Sequence, residues 1–271
     1  MTVTALPAQP VVNARLLFRN SVTRLTPRQL ADLRSAYAAV KQITDERGFD
    51  YWAGIHGLPL PISCEHHTAL FLPWHRAYLY FFELALQDQM PGVTQPWWDW
   101  TARAAHRHGI PAASAAQTSN GQANPLASST IPPAARVDPQ GGGTAPAATF
   151  RDPGDPAQLP VPAAITQLLD LGDFLDFQTQ LENVHDFIHV WIGGTTAEIP
   201  WAALDPLFWA HHAMIDRLWR LWQLRHPQAG LPPELLGQAL RPFAMTVAQA
   251  LNVTALGYDY ASFPTRMPAN G

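Results

Sequence analysis

The chain has 271 residues and a net charge of −4; 47% of its residues are hydrophobic and 14% are charged. It contains no run of the ~18 to 20 apolar residues that a membrane helix needs, no basic excess for nucleic acid or anionic lipid, and one cysteine, which excludes an internal disulfide framework. The N-terminal sequence lacks the basic and apolar regions of a secretory signal. We therefore expect a cytoplasmic protein, with export alongside a partner protein as the alternative.

The first hundred residues contain two predicted helices separated by a loop. A threonine followed by proline at 26–27 begins an amphipathic helix, since these residues suit the cap and the first helical position. The glycines and prolines of 51–65 predict a loop. The segment 73–90 predicts a second helix, which begins at its proline and stops before the Pro-Gly pair at 91–92.

The composition then changes before two further helices follow. Residues 104–162 are rich in Ala, Pro, Gly, Ser and Thr, which predicts an irregular surface excursion. Helices are expected over 177–192, ending at a Gly-Gly pair, and over 205–226, opened by Asp and Pro. The fold class is therefore mainly α: a single domain over 1–271, with a four-helix bundle core, long irregular loops and few short strands.

Eight of the 11 histidines fall into two clusters, and the second cluster has the spacing of a metal site. His185 and His189 are four residues apart on a predicted helix, so both imidazoles leave the same face. His211 and His212 point about 100° apart on the next helix, so only one of them can join these two. His212 lies one turn before Asp216 on the face that must be buried, which favours it as a ligand and His211 as a packed neighbour.

The first cluster supplies a second group of three imidazoles. A helix that begins at Pro73 places His75 in its first turn and His66 on the segment before it, while His56 lies on the glycine-rich loop. Imidazoles without carboxylate ligands suit copper, and two metals about 3.5 to 4 Å apart would hold one dioxygen between them. A zinc hydrolase with two three-histidine sites is the alternative.

Several segments together resemble the tyrosinase and polyphenol oxidase family of type-3 dicopper proteins. The similar segments are the two histidine motifs, the aromatic stretch between them and a closing tyrosine motif: 67–83, 185–194, 205–219, 96–100 and 258–260. The resemblance implies two copper ions, dioxygen as co-substrate, and oxidation of o-diphenols to o-quinones with hydroxylation of monophenols. It also implies small phenolic substrates and a copper-delivery protein as a possible partner.

Carried over to this sequence, the resemblance implies a ligand set. Six histidines are the expected ligands, three for the first copper and three for the second: His56, His66 and His75, then His185, His189 and His212. Cys64 stands two residues before His66, and the resemblance implies a thioether between its sulfur and that imidazole ring. The alternative is an ordinary buried thiol.

Four further residues are expected around the copper pair. Glu182 resembles the acid that holds a water near the second copper, and Asp186 occupies the place where many monophenol-hydroxylating members carry asparagine. We expect both to take part in removing the phenol proton. Ile199 and Val190 resemble residues at the substrate entrance, where they leave an apolar opening.

Two other functions within the same family remain open. Asp186 makes an o-aminophenol oxidase credible, and a non-catalytic oxygen carrier is the alternative from another class. The chain ends eleven residues after Tyr260, which is too short for a covering domain, so we expect an uncovered copper site. The neighbours Asp216 and Arg217 are predicted to form an ion pair that anchors the helix.

Overall fold

The computed structural model describes residues 16–141 and 143–261. Helices predominate, and the strands are short and form two two-stranded sheets, which confirms the mainly α class. Within the described ranges, no helix has the length and apolar character needed to cross a membrane. The helices are α1 Pro27–Val40, α2 Phe49–His56, α3 Phe71–Gln89, α4 Arg103–His108, α5 Ala112–Ala115, α6 Pro162–Leu169, α7 Phe174–Ile192, α8 Ile199–Ala202, α9 Pro206–Arg225, α10 Pro233–Leu236 and α11 Val247–Ala250. The strands are β1 Leu17–Arg19, β2 Thr118–Ser119, β3 Gln122–Ala123 and β4 Tyr258–Tyr260.

The long helices pack around α3, which contacts α1, α7 and α9, while α7 also contacts α9. Strand β1 pairs in parallel with β4, with Leu17 opposite Tyr258, and so joins the two ends of the described chain. Strands β2 and β3 form an antiparallel hairpin. The bundle thus places the histidine-bearing helices α3, α7 and α9 against one another.

Helix α1 begins where the sequence predicts. The Thr26 hydroxyl accepts a hydrogen bond from the backbone N–H of Gln29, whose side chain accepts one from the N–H of Thr26, and Pro27 follows the cap. Such a capping box satisfies two N–H groups that the helix itself leaves unpaired. Leu33 and Tyr37 are buried on the face that meets the core.

Helix α3 begins at Phe71, two residues before the expected Pro73. A proline is tolerated anywhere in the first turn because the N–H groups of that turn have no partner within the helix. The amide of Gln178 on α7 closes this end, since its Oε1 accepts from the N–H of Leu72 at 3.2 Å and its Nε2 donates to the Thr68 carbonyl at 2.9 Å. His75 consequently lies in the second turn of the helix.

The predicted loop over 51–65 is wrong in its first part, where α2 runs to His56. Burial of Phe49 and Trp52 stabilises this helix, and tertiary packing overrides the weak helix propensity of Gly54. Gly57 ends it against the chain that follows α7: a Cβ there would lie 2.3 Å from the Pro200 carbonyl oxygen. His56 therefore sits on a rigid helix end, not on a flexible loop.

The excursion over 104–162 is irregular as predicted, but it does not lie only on the surface. Leu126, Ile131 and Leu159 are buried in the same core as the helices. Arg151 fixes the segment in place, because its guanidinium donates twice to the Asp205 carboxylate, at 2.6 and 2.8 Å. Asp205 also caps α9, so the excursion is tied to the start of a histidine-bearing helix.

Asp216 on α9 forms a buried charge network, and its predicted partner Arg217 is not part of it. Arg76 Nε donates to Asp216 Oδ1 at 2.5 Å, and Arg19 Nη1 donates to Oδ2 at 3.1 Å. The hydroxyls of Tyr258 and Tyr260 also donate to Oδ2, at 2.8 and 2.5 Å. The prediction of an Asp216–Arg217 ion pair is therefore wrong.

Arg217 instead stacks over the Trp97 ring, with its guanidinium carbon 4.0 Å from the centroid. Helical geometry explains the difference, because neighbouring residues point about 100° apart. Only Asp216 faces the interior. Burial opposes the charge of Asp216, but Arg76 and Arg19 outweigh it and hold the pKa of this carboxyl below its usual value.

Replacing Asp216 with asparagine is expected to lower the free energy of unfolding by about 3 to 5 kcal/mol, because it leaves the buried Arg76 without its carboxylate and Arg19 with Glu83 alone. Urea denaturation of the metal-free protein measures this loss. The matched control is Asp45→Asn in an exposed pair with Arg47, which should leave the transition unchanged. Since the folded pKa of Asp216 is lowered, the difference between wild type and Asp216→Asn should persist above about pH 4 and shrink as the pH falls below it. Equal midpoints for Asp216→Asn and wild type would contradict the proposed weight of this network.

Candidate metal centre

Three imidazole nitrogens from α7 and α9 converge in the buried interior. His185 and His189 lie one turn apart on α7, and the Nε2 atom of each is 3.2 Å from the Nε2 atom of His212 on α9. Metal–imidazole bonds of about 2.0 to 2.1 Å place two nitrogens of one tetrahedral or trigonal site roughly 3.3 to 3.6 Å apart. The three nitrogens therefore stand close to the spacing of ligands to a single ion.

Hydrogen bonds on the far side of two rings decide where their protons lie. His185 Nδ1 is 2.9 Å from Asp186 Oδ1, and His189 Nδ1 is 2.9 Å from the Thr196 carbonyl oxygen. Both partners are acceptors, so both Nδ1 atoms carry the proton and both Nε2 atoms present lone pairs. His212 Nε2 can donate to only one of them. The lone pair of the other Nε2 then faces the His212 nitrogen without a hydrogen bond. A cation bound between the three nitrogens would be attracted by all three lone pairs.

The second group of imidazoles comes from the first half of the chain. The rings of His56, His66 and His75 lie with centroids 5.1 to 5.8 Å apart. His75 Nδ1 donates to the Phe71 carbonyl oxygen at 2.8 Å, which leaves its Nε2 as a lone pair. Within the described residues, this Nε2 and both ring nitrogens of His56 are buried without a hydrogen-bond partner, as expected of ligands awaiting an ion.

The two groups share one interior space. The rings of His75 and His212 stack 4.7 Å apart at 20°, and the rings of His66 and His185 lie 5.6 Å apart. This arrangement places two three-histidine sites face to face, one beside helices α2 and α3 and the other between helices α7 and α9. It is the geometry that a dinuclear centre needs.

Burial keeps these imidazoles neutral. Desolvation lowers the pKa of His189 to about 4 and that of His66 to about 4, and it places the pKa values of His75, His185 and His212 well below the usual value. Only the neutral ring offers a lone pair to a metal. The cluster is therefore in its metal-binding form at neutral pH.

His211 lies beside the second group. Its ring stacks on His185 at 5.3 Å and 17°, and its nearest ligand atom is within 4.8 Å of those of the three converging histidines. In the described chain, neither of its ring nitrogens has a hydrogen-bond partner. The 3.2 Å contacts belong to His212, which favours His212 as the ligand and His211 as its packed neighbour.

Glu182 and Asp186 lie one turn apart on α7 and both face His67. Glu182 Oε1 accepts from the backbone N–H of His67 at 2.6 Å, and its pKa is raised by burial. The His67 ring lies 3.9 Å from a carboxylate oxygen of each residue. Asp186 thus has one oxygen on His185 and the other towards His67.

His67 is not among the residues that the sequence predicts for the site. It stands in the left-handed backbone region at φ 55°, which turns its side chain away from that of His66, and the side chain is 73% exposed. Two adjacent histidines carry no pattern that separates an interior ligand from a residue at the entrance. Only the backbone turn before α3 makes that distinction.

A cavity of about 200 Å³ leads from the surface to the imidazoles. Val190 and Ile199 line this cavity, with 69% and 46% of their surfaces exposed. Gly193, at φ 67°, ends α7 beside the rim that they form, and a Cβ there would lie 2.3 Å from the Asp152 carbonyl oxygen. The glycine allows the chain to turn away and leaves the entrance open.

Cys64 lies beside His66. Its Sγ is 3.3 Å from His66 Nδ1, and burial raises the pKa of the thiol to about 12. Ligand atoms of His56, Cys64 and His66 lie within 4.8 Å of one another. The sulfur is therefore close enough to the ring for the predicted thioether, which stays a prediction.

Comparison with known proteins places this site in a family. Residues 46–225 match the family model for the common central domain of tyrosinase. The chain is 32% identical to the tyrosinase of Streptomyces antibioticus over 222 residues, covering 69% of this chain and 77% of that protein. It is 30% identical to the G-type hemocyanin of Enteroctopus dofleini over 279 residues, covering 90% of this chain.

The fold agrees with both kinds of relative. A functional unit of octopus hemocyanin is similar with a TM-score of 0.74 and 27% identity, over 91% of this chain and 68% of that one. Tyrosinase from Burkholderia thailandensis shares the fold with a TM-score of 0.78 at 23% identity, over 92% of this chain and 74% of that one. The chain spans 9% to 39% of the length of the Enteroctopus dofleini and Sepia officinalis hemocyanins that it matches.

The matched region contains all six histidines of the two groups, from α2 to the end of α9. The donor set fits copper, because imidazole suits this metal and the Nε2 lone pairs of His185 and His189 are directed into the centre. The chain therefore belongs to the tyrosinase family, whose members hold a type-3 pair of copper ions that binds dioxygen.

Proposed function

We propose that this chain is a copper oxidase that uses dioxygen to convert o-diphenols to o-quinones and also hydroxylates monophenols. The observation that carries this proposal is the open cavity above the imidazoles, with Val190 and Ile199 exposed on its rim. An oxygen carrier needs access only for dioxygen, whereas an oxidase must admit an aromatic ring. An open cavity of about 200 Å³ with apolar side chains at its entrance supports the second function.

The residues that would hold the metals follow from the two converging groups. His185, His189 and His212 would hold one copper, and His56, His66 and His75 the other. Bound copper would supply the redox chemistry, by which two o-diphenols together give four electrons and four protons to one dioxygen, leaving two o-quinones and two waters. The carboxylate of Asp186 and the carbonyl of Thr196 orient the rings of His185 and His189, which keeps their lone pairs directed inward.

Glu182 is placed to accept a proton from a monophenol. Its carboxylate lies one turn before His185, and burial raises its pKa, which makes it a stronger base than an exposed glutamate. Oε1 is engaged by the His67 N–H at 2.6 Å. We propose that the phenol gives its proton, through a bridging water, to Oε2 of Glu182. The phenolate formed in this way then enters the site.

Two other functions have specific support. Similarity to hemocyanins at 30% identity supports oxygen carriage, and Asp186, in the place where many monophenol-hydroxylating members carry asparagine, supports an o-aminophenol oxidase. Oxygen uptake separates the carrier from the oxidases. A comparison of catechol with o-aminophenol separates the two oxidases.

Loading the purified chain with copper should give two ions per chain, and His212→Gln should retain one, because it removes a ligand from one site only. Metal analysis after dialysis measures both. The control is His108→Gln, a change at an exposed histidine, which should retain two. Two ions in His212→Gln would contradict the ligand assignment. Folded protein that takes up no free copper would instead support a copper-delivery partner.

The copper-loaded chain should consume dissolved oxygen promptly on addition of 4-methylcatechol and accumulate the absorbance of an o-quinone. The physical reason is that the open cavity lets the catechol ring reach the imidazoles at its inner end, which form the floor of the cavity. The same protein without metal is the control and should be inactive. Two bound coppers without oxygen consumption from any catechol or o-aminophenol would overturn the proposed oxidase and favour oxygen carriage.

The Cys64–His66 thioether should form on copper loading in air, since the sulfur is 3.3 Å from the ring. The bond joins Sγ to a ring carbon, and the two hydrogens lost are taken up by dioxygen as oxidant. Intact mass should fall by two hydrogen atoms in the wild type. It should not change in Cys64→Ser, and an unchanged wild-type mass would show an ordinary free thiol.

A further inference from the structure

We infer that the entrance selects phenols by the charge of the substituent opposite the hydroxyl group, favouring cationic and neutral substituents over a carboxylate. This inference deepens the proposed oxidase function and rests on it. Among the described residues that line the cavity, Asp186 is the one side chain with a formal charge at neutral pH. Val190, Ala197 and Ile199 form an apolar wall, and no arginine or lysine contributes.

The shape of the cavity fixes which end of a substrate meets Asp186. The hydroxyl groups must reach the nitrogens on the floor, where the Nε2 atoms of His185 and His212 are 3.2 Å apart. A substituent on the far side of the ring then points outward to the rim. Asp186 lines this cavity and is about two-fifths exposed, so we place its carboxylate beside the substituent.

One oxygen of Asp186 is available to such a substituent. Oδ1 accepts from His185 Nδ1 at 2.9 Å, whereas Oδ2 lies 3.9 Å from His67 Nε2, beyond hydrogen-bond distance. An ammonium group on the substrate can donate to Oδ2 without disturbing His185. A carboxylate in the same place meets a like charge, and the charge of Glu182 one turn away adds to the repulsion.

The expected effect is moderate because the rim is partly open to solvent. Pairs of exposed charges change binding by roughly 1.4- to fivefold. The ratio of a cationic to an anionic substrate contains one attraction and one repulsion, so removing the Asp186 charge should lower it by roughly two- to 25-fold. Bound copper attracts anionic substituents in wild type and variant alike, so the change in the ratio reports the side chain alone.

Three catechols with the same reacting ring make the test: one with an ethylammonium substituent, one with a propionate and 4-methylcatechol as the neutral reference. The kcat/KM of each is measured for the wild type and for Asp186→Asn, whose amide oxygen can still accept from His185. The cationic-to-anionic ratio should fall in the variant, while the neutral substrate corrects for any effect on the copper site. In the wild type the ratio should also fall as salt rises, because salt screens exposed charges.

A second variant tests the opposite sign. Val190→Lys places a cation on the rim one helical turn after Asp186, where it can pair with that carboxylate, and should raise kcat/KM for the propionate relative to the ammonium substrate. The matched control is Asp176→Asn, ten residues earlier on α7 and exposed, about 15 Å along the helix from Asp186. It removes the same charge away from the entrance and should leave the ratio unchanged.

Binding without turnover gives an independent measurement. Zinc fits three-histidine sites and has no redox chemistry, so calorimetry on the zinc-loaded protein measures the dissociation constants of the same three catechols. The ammonium catechol should bind more tightly than the propionate, and the difference should shrink in Asp186→Asn. Equal ratios in wild type and Asp186→Asn in both assays would overturn the selection by charge. Oxygen uptake with 4-methylcatechol tests the oxidase function separately from either result.

Discussion

Opposed imidazole lone pairs in a buried space are the constraint on which the rest of this structure depends. The Nε2 atoms of His185 and His189 both face that of His212 at 3.2 Å, and the acceptors behind the His185 and His189 rings hold the protons of these two imidazoles away from the centre. Without a cation, such an arrangement is electrostatically unfavourable, and burial prevents the rings from relieving it by protonation. The surrounding fold must therefore hold the rings in place.

The frame that holds them lies directly behind the ligands. Asp216 follows His212 by one turn of α9, and Arg76 follows His75 on α3, so the buried Asp216–Arg76 pair joins the two helices just behind the two metal sites. Arg19 brings β1 into the same network. Gln178 performs a similar function between α7 and the start of α3. Fixed helices leave the ligands little freedom to move when a metal binds or leaves, which is the preorganisation that such a centre needs.

The entrance of the cavity differs from its floor in exposure and in the elements that form it. Five of the six imidazoles lie on helices and are buried, whereas the rim is formed by the end of α7 and the start of α8, where Val190 and Ile199 are exposed. Chemistry common to tyrosinases and hemocyanins resides in the floor. Differences in substrate therefore arise at the rim, where Asp186 and His67 stand, and there the backbone turn at His67 matters as much as residue type.

Much of the site could be predicted from local sequence. The spacing of His185 and His189, the cap at Asp205 and the helix stop at Gly193 are properties of short segments, and each is found as predicted. Helical periodicity also separates His212 from His211, because one turn links His212 to the buried Asp216.

Only the tertiary structure decided the rest. The segment at His56 became a helix because packing of Phe49 and Trp52 outweighs the glycines around it. Asp216 pairs with Arg76 and Arg19 and not with its neighbour Arg217. The packing of the elements that carry these residues determines the partners in a buried network, not distance along the sequence. The sequence by itself determined the ligand types and their helical spacing, which are local. The pairing of charges and the position of His67 at the entrance depend on contacts between segments distant in sequence, which no local pattern records.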